Sequence, residues 1–133
     1  MANDDGTLRA YQEGSWKPVG SWSGLPFSGG IRGTAFDGTD LYFAVGGDGG
    51  PRGNGSLVKW DLTTDSVVYD VSYPFGVDQL NACGGRLYIP VGENAKTSRT
   101  WEQIDEATGA VTASVQEGLG PHNTLCVDGH WFF

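Results

Sequence analysis

The sequence predicts an all-β protein built from a repeated unit, and three observations carry that reading. Three segments align: Gly33 to Phe43, Gln79 to Ile89 and Asn123 to Phe133. From Leu41 to Leu87 to Trp131 the period is 46 and then 44 residues. Within each copy, apolar residues alternate with polar ones, and Gly is unusually common, at 22 of 133 residues. A period of this length with strand-like content belongs to a β-propeller or a repeat array.

The elements follow in order. Leu41, Phe43 and Val45 alternate with Tyr42 and Ala44. Val58, Trp60 and Leu62 alternate with Lys59 and Asp61, and Val67, Tyr69 and Val71 with Val68 and Asp70. Such period-two patterning marks half-buried strands. The next copy predicts strands over 79–83, 87–91, 101–105 and 111–115. Asp37-Gly38, Gly84-Gly85, Thr108-Gly109 and Asp128-Gly129 supply the turns. Pro90 predicts a bulge or an edge. No segment has helical periodicity.

The ends fit the same unit. Gly6 to Tyr11 resembles Gly55 to Trp60, and Ser15 to Ser23 resembles Asp65 to Tyr73. With the strands of a unit written A to D, the chain reads CD, ABCD, ABCD, AB. It is a single domain over 1–133, with copies near 6–30, 31–76, 77–120 and 121–133.

Composition narrows the partners. The net charge is −8, and Lys and Arg are scattered singly, so a phosphate backbone is repelled and nucleic acid is not expected. No apolar run approaches the roughly 18 residues that span a bilayer, so no membrane is expected. The polar, acidic start reads as lacking a signal peptide. No CxxC or Cys/His set predicts a metal, and no motif predicts a cofactor.

Trp101-Glu-Gln-Ile-Asp105-Glu-Ala-Thr108-Gly109 resembles the strand-turn-strand signature of quinoprotein-like and YVTN-type β-propellers, an aspartate, two residues, then Thr-Gly. Ser56 to Asp65 is a degraded second copy, with Asp65 where Gly would stand. Pro121-His122-Asn123, followed by Asp128-Gly129, resembles an inner-strand start of the same families. The Trp60-Asp61 pair suggests WD40 less well, because no Gly-His pair lies upstream at that family's spacing. The resemblance implies four-stranded antiparallel blades about an axis, strand A innermost.

On that plan Arg32, Asp78 and His122 share one position just before strand A, and Gly33, Gln79 and Asn123 the next. The functional reading is a polar ring at the channel mouth of Arg32, Asp78, Gln79, His122 and Asn123, binding a small polar or anionic ligand. The bland alternative is an Arg32–Asp78 salt bridge between blades, with His122 bonded to a turn. Were the chain a subunit or fragment of a propeller enzyme, quinoprotein-like or lyase-like, His122, Asp78 and Arg32 would be its catalytic candidates. No catalytic constellation is complete, and binding and assembly is the preferred reading. The loops 46–55 and 92–99 are read as walls of that mouth.

Cys83 and Cys126 are read as buried free thiols, since equivalent strands of adjacent blades usually stand too far apart for a disulfide. The five tryptophans are expected to pack between blades, with sugar stacking by Trp16 or Trp22 a minor alternative. Three blades are fewer than the roughly four to eight that propellers use. A homodimer of six blades is therefore expected, with 130–133 of one chain beside 7–11 of the other.

Overall fold

The structure is a computed structural model that describes residues 7–23, 30–46, 55–73, 77, 79–91, 99–117, 125–127 and 129–132. They form twelve strands and no helix. The strands are β1 (Thr7–Tyr11), β2 (Pro18–Ser23), β3 (Ile31–Phe36), β4 (Asp40–Val45), β5 (Gly55–Asp61) and β6 (Ser66–Tyr73). They continue with β7 (Asn81–Cys83), β8 (Arg86–Val91), β9 (Arg99–Asp105), β10 (Val111–Glu117), β11 (Leu125–Val127) and β12 (His130–Phe132).

All pairing is antiparallel between chain neighbours, giving sheets β1–β2, β3–β4–β5–β6, β7–β8–β9–β10 and β11–β12. The groups of two, four, four and two follow the expected order of strands. The register repeats as well. Phe36 pairs with Leu41, Ala82 with Leu87 and Cys126 with Trp131, each at the same position of its hairpin.

The second sheet is covered on both faces, and this explains its composition. Alternate residues of a strand point to opposite sides. Phe43, Val45, Val58 and Trp60 pack with Leu8 and Trp22 of the first sheet. Tyr42, Ala44, Leu57 and Tyr73 pack with Leu80, Leu87, Ile89 and Ile104 on the third-sheet side. Hence β4 and β5 read as nearly continuous apolar runs, as strands buried on both faces do.

The first strands of successive sheets touch: β3 meets β7, and β7 meets β11. At Gly33 the approach leaves no room for a side chain, since a Cβ there would lie 2.7 Å from the Leu80 nitrogen.

One expectation is corrected here. Cys83 and Cys126 are joined in a disulfide, with Cα atoms 6.2 Å apart. The cysteines are one position apart in the repeat, so they lie on opposite faces of equivalent strands and meet between adjacent sheets. Pro90 stands at an interrupted ladder, as expected: β7–β8 pairing runs to Asn81–Tyr88 and resumes at Val77–Val91 one residue out of register, while on its other side the buried Pro90 pairs in unbroken register with Trp101.

The tryptophans divide. Trp60 and Trp101 are buried, and Trp22 packs partly buried between the first two sheets. Trp16 is not packed between sheets: it is 75% exposed and meets only the Tyr11 ring edge-on, at 6.3 Å, among aromatic contacts.

Candidate functional site at the ends of β3 and β7

Arg32 owes its position to a bulge. The β3–β4 register steps from Ile31–Val45 to Gly33–Ala44, leaving Arg32 as the extra residue. Bulges re-aim a side chain out of the regular alternation. The exposed Arg32 side chain lies over Gly46, where a Cβ would meet its Nε at 2.8 Å and its Cγ at 2.9 Å. The Gly46 amide donates to the Gly30 carbonyl at 2.9 Å, closing the hairpin beneath it.

Next along the chain, Gly33 abuts the backbone of Gln79, its notional Cβ 3.1 Å from the Gln79 Cα. The close contact of β3 with the entry to β7 therefore brings Arg32 and Gln79 to the same end of adjoining strands. Asp78, His122 and Asn123 lie outside the described residues, as do the loop residues 47–54 and 92–98.

The opposite end of the sheets carries the hairpin turns, and their aspartates are committed to them. Asp37 accepts from the amides of Thr39 and Asp40, each at 2.8 Å, and from the Tyr42 hydroxyl at 2.6 Å. Burial works against its charged form, but these bonds outweigh it and hold the carboxyl below the ordinary value. Burial and the Asp37 bond push the Tyr42 hydroxyl well above the tyrosine range.

Asp61 accepts from the Thr63 amide at 2.6 Å, and Asp105 from the Thr108 hydroxyl and amide at 2.9 and 3.0 Å. Those bonds, with the Thr63 amide and the Thr108 hydroxyl foremost, depress both carboxyls. The aspartate-x-x-Thr-Gly signature is thus a turn-closing device, and these carboxylates are spent on structure rather than chemistry.

Between the second and third sheets two polar groups are buried. The Lys59 ammonium binds Asp40 at 2.9 Å and donates to the Glu106 carbonyl at 3.2 Å, above the Tyr42 ring. Glu102 lies beside Tyr73. Burial raises the Glu102 carboxyl above its ordinary value, with the Tyr73 hydroxyl opposing part of that. Neither Glu102 Oε2 nor the Tyr73 hydroxyl completes a well-formed hydrogen bond.

Sequence reasoning missed an open apolar cleft of about 490 Å³ between the first and second sheets. It is lined by Leu8, Tyr11, Trp16, Trp22, Phe36 and Leu41 among others. Phe36 stands 55% exposed on its wall. The signal was present: Phe36 shares its repeat position with Ala82 and Cys126, which are small where the first strand of a neighbouring sheet passes close.

Comparison with protein-family models and with curated proteins finds no match to the chain.

Proposed function

We propose that the chain is a binding and assembly module of the β-propeller class. In this reading the four sheets are blades or half-blades about one axis, and two copies complete a ring of six. The inner-strand ends then surround a channel mouth, where Arg32, Asp78, Gln79, His122 and Asn123 hold a small polar or anionic ligand.

One observation carries this reading: β3, β7 and β11, the first strands of successive sheets, lie against one another in chain order. The innermost strands of successive propeller blades converge in this way, which supports the reading. The bulge that re-aims Arg32 supports the binding role. The turn commitments of Asp37, Asp61 and Asp105 remove three carboxylates that chemistry would need.

Light scattering at micromolar concentration tests the assembly. The expected mass is twice 14.1 kDa, and a well-folded monomer overturns it. Calorimetric titration with small dicarboxylates tests the mouth: Arg32→Ala should abolish any binding seen in the parent chain, and unchanged affinity would remove Arg32 from the site.

A further inference from the structure

We propose that the Phe36 face of β3 and the Val127 face of β11 are the two halves of one contact, made between two copies of this chain. The proposal rests on the assembly reading above and names the residues that meet.

The repeat itself supplies the geometry. Phe36, Ala82 and Cys126 occupy one repeat position, as their pairing with Leu41, Leu87 and Trp131 shows. Cys83 and Val127 occupy the position after it. Between the third and fourth sheets these two positions touch, Cys83 against Cys126, with Cα atoms 6.2 Å apart.

Advanced by one repeat, the same contact sets Val127 against the next residue of the Phe36–Ala82–Cys126 position. Among the described residues no further sheet follows the fourth to provide one. Phe36 is the one member of that set with no inner strand against its face among the described residues.

Both residues are apolar and open to solvent, Phe36 at 55% and Val127 at 45%. Large side chains left out in this way mark an interaction surface when they form part of a patch. Phe36 belongs to such a patch, the wall of the 490 Å³ cleft beside Leu41 and Trp22. The cleft lies beside β1, where the first sheet has two strands and the middle sheets have four. A strand pair of the β11–β12 kind fills that vacancy.

The occupant is a second copy rather than the chain's own β11–β12. The disulfide holds β11 to β7 on the far side of the third sheet. Self-closure would also make a ring smaller than the roughly four-blade minimum. A two-fold axis makes the contact twice, Val127 of each copy on Phe36 of the other. The smaller hollow of about 90 Å³ at Tyr88, Trp101, Gln103 and Val115 then faces the partner's first sheet.

Engineered cysteines test the contact. Phe36→Cys and Val127→Cys chains are purified separately, mixed and oxidised with glutathione disulfide. The expected product is a species of twice the chain mass with a 36–127 disulfide located by peptide mapping, since equivalent residues stand at bridging distance. Val68→Cys, exposed on the outermost strand β6, should give none with Val127→Cys.

A second measurement avoids the added thiols. Phe36→Asp should weaken dimerisation about 30-fold while leaving the strand circular dichroism unchanged, the loss expected of a central apolar anchor. A dimer that forms no 36–127 bridge and tolerates Phe36→Asp overturns this contact and leaves the assembly reading standing. A monomeric parent chain overturns both. A ladder of masses beyond two chains in the Phe36→Cys, Val127→Cys double variant overturns the closed pair.

Discussion

The Leu80 nitrogen passes so close to Gly33 that a Cβ on Gly33 would sit 2.7 Å away. The other nearest atoms, the Gln79 carbonyl carbon and Cα, are also backbone. A rotamer change cannot relieve a clash with backbone. Gly33→Ala must therefore push β3 and β7 apart, at a cost of about 2–3 kcal/mol. Urea unfolding would read the loss, and a cost below about 0.5 kcal/mol would show that the two strands are not held this tightly.

Gly46 makes the contrasting case. The three nearest atoms to a Cβ there all belong to the Arg32 side chain, a flexible group. Gly46→Ala should leave stability within about 0.5 kcal/mol, as surface changes usually do. It should displace Arg32 all the same, so any ligand affinity at the proposed site should fall. Stability loss with intact binding would contradict the placement of Arg32.

Lys59 is a buried cation with one carboxylate partner and one carbonyl. Lys59→Met keeps most of the aliphatic stem but leaves Asp40 and the Glu106 carbonyl without their donor. Removing one member of a buried pair costs about 3–5 kcal/mol, and the Met stem returns part of it, so about 3 kcal/mol is expected. A thermal shift under about 2 °C would show that the pair is solvated.

Glu102 gives the fold a pH dependence. Its carboxyl is raised by burial, so the folded state favours the protonated form. That contribution is complete below the ordinary carboxyl range near pH 4 and is lost as pH rises through the raised value. Glu102→Gln should therefore raise Tm by a few degrees at pH 7, the gain vanishing near pH 4. Asp37, with its depressed carboxyl, works in the opposite sense, and Asp37→Asn should be most damaging at neutral pH. A pH-independent Glu102→Gln effect would rule out the charge as its cause.

The hairpins were legible because their chemistry is local. Asp65 stands where the motif wants Gly, and it adopts the left-handed φ of 52° that Gly109 adopts at 72° in the intact copy. Asp bears that conformation at a cost Gly avoids, so Asp65→Gly should stabilise by about 0.5 kcal/mol. The contacts between sheets were harder to read. Alternation says which residues share a face, not how near the next sheet lies. That distance decided the fate of Cys83 and Cys126 and the exposure of Phe36. Arg32 drew notice by its repeat position, but the bulge that aims it was not legible, since the extra residue appears only once the register is known.

The disulfide carries a consequence for the fourth sheet. Apart from each other, β11 and β12 meet only β7 among the described strands. The Cys83–Cys126 bond is thus a main tie between this hairpin and the rest of the chain, closing a sequence span of 43 residues. A cross-link over such a span stabilises by about 4 kcal/mol in the chain-entropy account. Reduction, or Cys83→Ser with Cys126→Ser, should lower stability by up to that amount. Hydrogen exchange should rise first in β11 and β12, while β4 and β5, buried on both faces, stay protected. On the proposed assembly, dimerisation should weaken together with that exchange, because the face bearing Val127 is no longer held in place. Reduction that leaves β11 and β12 as protected as β4 and β5 would show that packing alone secures the hairpin.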